Sequence, residues 1–519
     1  MTSADQPRLR SNTISDAFRR AAAKHRGKLA LTFADRRWSF AELDAAAGRV
    51  AQSLLGLGLA RGDRVAAYAR NSDSYLILWL ACTRAGLIHV PINYALTAGE
   101  LAYIVGQSGA RMLIHDGDLV ETVNAIRKDA GVQLYGRFSG AAAGEFDVLA
   151  TATNAGLPRL EEGLAVDTEL AQFLYTSGTT AAPKGAAMTH DAFVAEYNAC
   201  IIELELAAAD ISLAALPLYH SAQMHCFSMP QLLVGATVHL IDSPVPETVL
   251  RLIERHRITS FFAPPTVWIS LLRHPDFDRR DLSTLRNIYY GASIMPVPVL
   301  QELRQRLPGI RPFNCYGQSE IGPLATVLRP EEHDARPASA GRPILSVATR
   351  VVDAEMRDVK PGEQGEIVHR SRQLLVEYWG KPEETREAFA GGWFHSGDVG
   401  YVDEEGFLFV VDRVKDIIKS GGVVVAGREV EEVLFKHPSV SEVAVVGLPD
   451  PKWIEAVTAI VVLRPGHAAD EAGLIAHART QLAPFKVPKK VIFTDRLPRN
   501  TAGKLLKREL RVQYAEAGG

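Results

Sequence analysis

The chain lacks the marks of several protein classes. It holds only four cysteines in 519 residues, Cys82, Cys200, Cys226 and Cys315, and none are spaced as CxxC. That excludes a disulfide framework and argues against a zinc site, and it points to a reducing compartment. An excess of one charge is missing too. Lys and Arg number 57 against 60 Asp and Glu, a net charge of −3, which excludes a generally basic nucleic-acid binder. No uninterrupted run of about 18 apolar residues occurs, so no segment reads as a membrane span. The opening stretch up to Phe18 has no apolar core of the kind a signal peptide needs. A cytoplasmic protein is the expectation. What is present is ordinary globular composition, 47% hydrophobic and 23% charged, enough for about three domains or subdomains at ~150 residues each.

Helical and strand patterns alternate through most of the chain, which predicts an α/β fold with parallel strands. Ser39 and Glu42 form a capping-box pair, and Leu43, Ala47, Val50, Leu54 and Leu55 then recur on one helical face before Gly56 and Gly58. Arg64 to Tyr68 reads as the buried strand that follows, and Thr97 with Glu100 opens another helix. Ser139 to Gly144 reads as a surface loop. The stretch from Trp393 is hairpin-like, with Asp403-Glu404-Glu405-Gly406 as its turn. After the charged segment Asp412-Arg413-Val414-Lys415-Asp416 the pattern is β and α mixed: a helix over Val430 to Phe435, strands over Val443 to Val446 and Ala456 to Leu463. The charged segment therefore marks a domain boundary, with 1–411 as a large domain and 412–519 as a small one.

The segment richest in chemistry is Tyr175-Thr176-Ser177-Gly178-Thr179-Thr180-Ala181-Ala182-Pro183-Lys184-Gly185. Small hydroxyl residues and glycine expose backbone N–H groups and side-chain donors together, which suits phosphate oxygens, and Lys184 adds a cation. It is not a Walker A loop, because GxxxxGK[ST] is absent. As a Ser/Thr/Gly-rich loop alone, it reads more readily as a polar surface turn.

The whole string is far more specific. It resembles the phosphate loop of the adenylate-forming superfamily, which includes acyl-CoA synthetases, coumarate-CoA ligases, luciferases and peptide-synthetase adenylation domains. Five further segments resemble that family's motifs in the family's order. They are Tyr290-Gly291-Ala292-Ser293, Asn314-Cys315-Tyr316-Gly317-Gln318-Ser319-Glu320, Trp393-Phe394-His395-Ser396-Gly397-Asp398, the Asp412–Asp416 segment, and Leu497-Pro498-Arg499-Asn500-Thr501-Ala502-Gly503-Lys504. The resemblance implies a large N-terminal domain of αβαβα layers with a small β-barrel, followed by a small, mobile α+β C-terminal domain. It also implies the reaction: a carboxylic acid is joined to the α-phosphate of ATP, and a thiol then attacks the acyl-adenylate.

The resemblance assigns roles to residues. Thr176, Ser177, Gly178, Thr179, Thr180 and Lys184 would hold the β- and γ-phosphates, and Glu320 with Thr176 would anchor Mg²⁺, a hard cation that takes oxygen ligands. Gly291, Ala292, Ser293, Asn314, Cys315, Tyr316, Gly317, Gln318 and Ser319 would surround the adenine, with Tyr316 stacked on it. Asp398 and Arg413 would meet the ribose. Lys504 would touch the substrate carboxylate and the α-phosphate, and His220 would orient or gate the acid. Lys415 would be the hinge, and rotation there would bring Lys419, Ser420, Gly421 and Gly422 to the site, the last three beside the pantetheine arm of CoA. His225 reads as structural.

By motif position, His220, Gln223, Met224, Tyr290, Gly291, Ala292, Gly317, Gly322, Leu324 and Ala325 would line the acyl pocket. Small or adaptable apolar residues suit a medium- to long-chain fatty acid, with an aryl or cinnamic acid as the alternative. No Asp or Arg there would greet an amino-acid ammonium or a second carboxylate. The chain departs from the family pattern at Ala181 and Ile454, where glycine is usual, at Ser319 for threonine, and at Val423-Val424 for Glu-Asn beside the thiol tunnel. That last change raises two alternatives to a CoA synthetase, a ligase loading a separate acyl-carrier protein and a non-catalytic acyl-adenylate sensor, while the pocket keeps an aryl-CoA ligase as the alternative to a fatty acyl-CoA ligase. A basic cluster of Lys486, Lys489, Lys490, Lys507, Arg508 and Arg511 reads as a solvated face or as contacts to CoA phosphates, not as a nucleic-acid module.

Overall fold

The computed structural model describes residues 11–176, 182–291, 293, 295–413, 416–420, 423–451, 453–500 and 505–515. Two large sheets dominate it. One has eight strands, with Ile88–Ile92, Arg64–Tyr68, Met112–His115 and Leu134–Arg137 running parallel at its centre. The other has nine, with a parallel core of Thr237–Leu240, Ile211–Ala214, Ser260–Phe262, Asn287–Gly291 and Arg311–Tyr316. These strands are short and nearly all buried, as strands covered on both faces are.

Helices fill the space between the sheets. Asp73–Ala85 is buried at every one of its 13 positions, which explains why it shows no polar face. The expected capping boxes are present. Ser39 and Glu42 open Phe40–Gly56, and Thr97 and Glu100 open Ala98–Ser108. A single core joins both sheets, taking Val65, Ala171 and Ala186 from one and Ala214 and Val238 from the other. Burying each large side chain of such a core is worth about 1.5–3 kcal/mol.

A four-stranded antiparallel sheet, Val347–Val352, Gly365–Ser371, Phe394–Val402 and Leu408–Arg413, forms the smaller β part. The turn at Asp403–Gly406 lies between its last two strands, as the sequence predicts. From Ile418 onward the chain builds another sheet, around the long antiparallel pair Val440–Asp450 and Ile454–Leu463. The helix expected over Val430 to Phe435 runs Gly427–Phe435, and both predicted strands extend beyond their sequence cores. This part has its own apolar clusters, while Phe435 packs into a core of the nine-stranded sheet. Three residues of the basic cluster form ion pairs: Lys486 with Glu429 at 2.6 Å, Lys507 with Glu431 at 2.9 Å, and Arg511 with Asp416 at 2.8 Å.

Candidate active site

Strand ends place the site. Leu170–Thr176 and Lys184–Thr189 form an antiparallel pair in which Thr176 faces Lys184. The two residues thus stand at the base of the Ser/Thr/Gly loop. The loop itself, Ser177, Gly178, Thr179, Thr180 and Ala181, lies outside the described residues, as do Ala292, Lys415, Gly421, Gly422 and Lys504.

Glu320 is the centre of one cluster. It is buried, and its Oε1 accepts from the Thr176 hydroxyl at 3.0 Å and from the Tyr378 hydroxyl at 3.1 Å. The Lys184 ammonium lies 5.1 Å from the centre of the Tyr378 ring, a cation–π contact. Burial and the Glu320 carboxylate push the Tyr378 phenol up, so it remains a neutral donor. Tyr378 is a residue the sequence reading missed. It reaches the site because the two-residue strand Glu377–Tyr378 adds to the edge of the Lys184–Thr189 strand, nearly two hundred residues away, and no local pattern signals that pairing. The oxygens of Glu320 and Thr176 are the hard donors that Mg²⁺ prefers, so this pair fits that ion.

The second cluster lies at the other end of the same segment. Tyr316 ends the Arg311–Tyr316 strand and donates its hydroxyl to Asp398 Oδ2 at 2.8 Å. Arg413 faces Asp398 across the Phe394–Val402 and Leu408–Arg413 strands, with Nε 3.3 Å from Oδ1. Burial and the neighbouring carboxylate raise the Tyr316 phenol far above its ordinary range. A buried carboxylate held by a phenol and a guanidinium is prepared to receive further hydroxyl donors.

Between the clusters the backbone is tightly drawn. A Cβ on Gly291 would come within 2.2 Å of the Cys315 carbonyl oxygen, and one on Gly317 within 2.1 Å of the Pro323 carbonyl oxygen. Only glycine permits either approach. Asn314 is committed to the scaffold, donating to the Ser339 carbonyl at 2.7 Å, and Cys315 is buried. Gln318 carries a buried amide nitrogen with no partner among the described residues. An orphaned donor two residues after Tyr316 fits a hydrogen-bonding nucleotide bound there. Ser319 hydrogen-bonds Ser221 through their hydroxyls at 2.7 Å, which draws the neighbouring His220 to this segment. The turn carrying His220 is fixed by buried Asn71, which donates to the Leu216 carbonyl and accepts from the Leu218 N–H, another residue sequence reasoning passed over.

The residues expected at the acyl pocket come from three separate cores: Met224 from one, Tyr290 from another, and Leu324 with Ala325 from the third. The Tyr290 hydroxyl is tied to His333 Nε2 at 2.9 Å, both side chains being buried. Burial lowers that histidine to about 4, so it is neutral. Gln223 spends its amide on Leu216 N–H and the Ser228 hydroxyl. It and Met224 lie on a π-helical turn, Ala222–Ser228, a distortion frequent at functional sites. His225, on the same turn, is a fully buried scaffold residue held by Tyr197 at 2.8 Å and Gln172 at 2.8 Å. Gly322 takes φ +101°. Ser293 is described but has no contact in the clusters above. Lys419 and Ser420 stand on the small sheet. The Lys419 N–H donates to Glu455 at 2.6 Å, and Ser420 is buried with its hydroxyl unpartnered among the described residues.

The chain is similar over nearly its whole length to known proteins. The model of the AMP-binding enzymes matches residues 18–379, and that of their C-terminal domain matches residues 429–504. A feruloyl-CoA synthase of an Amycolatopsis species is 38% identical over 494 residues, covering 95% of this chain and 96% of its own. The fatty acid–[acyl-carrier-protein] ligase ScoC of Streptomyces coeruleorubidus is 34% identical over 491 residues, covering 92% and 91%. Among solved structures, the anthranilate CoA ligase AuaEII in complex with anthranoyl-AMP aligns with a TM-score of 0.92 at 27% identity, over 100% of this chain and 99% of that one. The chain belongs to the AMP-binding enzymes, the adenylate-forming ligases that work with ATP, Mg²⁺ and CoA.

Proposed function

We propose that this ligase activates a compact aryl-substituted carboxylic acid and transfers it to CoA. The observation that carries the choice is the burial of these residues: the Tyr290 hydroxyl is anchored by neutral His333 in one core, and Met224 in a second core and Leu324 with Ala325 in a third are buried. Such walls suit a short, planar acid more than a long chain that must thread past them. The feruloyl and anthranilate relatives support the same class. A medium- to long-chain fatty acid is the second reading, favoured by the adaptable Met224 side chain and by the fatty-acid relative.

In the first half-reaction a carboxylate oxygen of the acid attacks the α-phosphorus, and the bond to pyrophosphate breaks. Two anions must meet, so positioning and charge neutralisation do most of the work. Lys184, Thr176 and the loop from Ser177 to Thr180 bind the outer phosphates. Glu320 and Thr176 would hold Mg²⁺, which when bound would supply neutralisation of phosphate charge. Asp398 with Arg413 takes the ribose, Tyr316 flanks the adenine, and His220 orients the acid. Lys504 stabilises the charge that develops between carboxylate and phosphate. In the second half-reaction a thiol sulfur attacks the acyl carbon and AMP leaves. The domain boundary falls at Asp412, and rotation about Lys415 replaces Lys504 by the Lys419–Gly422 loop.

The test is acid-dependent ATP–pyrophosphate exchange across fatty, aryl and amino acids, followed by AMP release with and without CoA. Exchange with aryl acids and CoA-dependent AMP release is the expected result. Exchange with fatty acids alone establishes the second reading. Exchange without a response to CoA points to a carrier protein as acceptor, and no exchange with any acid points to an adenylate sensor.

A further inference from the structure

One carboxyl group is buried where no step of adenylation uses it. Glu196, on the His190–Glu203 helix, is fully buried. Its Oε1 accepts from the Leu324 N–H at 3.0 Å and from the thiols of Cys200 at 3.2 Å and Cys226 at 3.6 Å. Its Oε2 accepts from the side-chain amide of Gln373. That amide also faces the carbonyls of Ile321 at 3.2 Å and Leu324 at 3.1 Å. Gly322 lies directly on the carboxyl, since a Cβ there would stand 3.1 Å from Glu196 Oε2.

The connections are the point. The turn from Ile321 to Leu324 follows Glu320 and leads into Ala325. Three of its backbone groups are satisfied by two side chains from distant parts of the chain. Through Cys226 the same carboxyl also holds the π-helical turn that carries Gln223 and Met224. Burial pushes the Glu196 pKa up to about 8 against the pull of its donors, so the group is maintained at a cost the core would not otherwise bear. A buried acid at the junction of two pocket walls calls for a role in shaping them.

We propose that Glu196, acting with Gln373, is a positioning residue that fixes the Gly322–Ala325 wall and thereby sets the size of acid this enzyme accepts. The proposal rests on the reading of those residues as the acyl-pocket wall. Glu196 does not touch the reacting atoms. It holds the backbone that faces the acid, and the nucleotide clusters at Glu320 and Asp398 have their own supports.

The experiment is steady-state kinetics of the full chain with CoA and a graded series of aryl and fatty acids, for the wild type, Glu196→Gln, Glu196→Ala and Gln373→Leu. Acid-dependent pyrophosphate exchange by the wild type is measured first. Its absence overturns the enzymatic reading itself, separately from the role of Glu196. With exchange present, Glu196→Ala and Gln373→Leu should raise KM for the preferred acid about tenfold, as loss of a buried hydrogen-bond partner does. They should also shift preference toward bulkier acids, while KM for ATP stays within about twofold. Glu196→Gln, which keeps the shape and one acceptor oxygen, should restore most of the selectivity. An unchanged ranking of acids in the variants overturns the proposal, and so does an equal rise of KM for acid and ATP. Should Glu196→Ala fail to fold, Gln373→Leu decides by the same split.

Discussion

Glu320 shows how much chemistry one oxygen can gather. Two hydroxyl donors from different strands converge on its Oε1, and they orient the carboxylate without neutralising it. Glu320→Gln keeps the shape and removes the charge a hard cation needs, so pyrophosphate exchange should fall about a hundredfold or more, read by isotope exchange. Tyr378→Phe removes one orienting donor and should cost only about fivefold. Lys504 belongs with Glu320 by motif. Lys504→Ala should abolish pyrophosphate release yet leave conversion of supplied acyl-adenylate to thioester intact. Equal loss of both steps would refute that assignment. Glu196 makes a thermodynamic prediction as well. Its folded pKa of about 8 lies above the ordinary 4.5, so between those values the folded chain holds a proton that the unfolded chain releases. The contribution of this group is therefore most favourable below about pH 4.5 and declines as pH rises toward 8. Thermal melts of wild type and Glu196→Gln should show the wild type losing ground to the variant between pH 5 and 8.

Among elements, the pair of strands ending at Asp450 and beginning at Ile454 is unusual. Ile454 adopts φ +67° and is 68% exposed, where the family pattern has glycine. A β-branched residue in the left-handed region is strained by about 1–2 kcal/mol, and its side chain recovers little of that by burial. Ile454→Gly should therefore raise the melting temperature of the chain. Register explains why the conformation persists without glycine: Ile454 pairs with Asp450 on one side and with Ser420 on the other. The turn thus abuts Ser420 at the end of the Ile418–Ser420 strand, and Ser420 pairs in turn with Val423, which links this departure to Val423-Val424. The π-helical turn at Ala222–Ser228 is the other local departure, and buried hydrogen bonds from His225 to Tyr197 and Gln172 hold it.

For the molecule as a whole, the two sheets share a core, whereas the residues from Ile418 onward have cores of their own, apart from Phe435, which packs into a core of the nine-stranded sheet. The proposed two-step reaction calls for such a division, one body to hold the substrates and another to exchange the groups presented to them. Lys415→Pro stiffens the hinge assigned by motif. It should spare pyrophosphate exchange and depress thioester formation, and unchanged overall turnover would reject the hinge role.

The sequence by itself determined the alternating elements, both capping boxes, the turn at Asp403–Gly406 and, through six motifs in order, the family. Each depends on residues close together in the chain, where spacing and side-chain chemistry are directly visible. It also named Glu320, Asp398 and Arg413. Only the tertiary structure decided what surrounds them. Tyr378 reaches Glu320 through a two-residue edge strand, Asn71 pins the His220 turn from 147 positions away, and Glu196 meets Gln373 across 177 positions. Such contacts arise from strand order and close packing, which bring together residues that carry no mark of each other in the sequence.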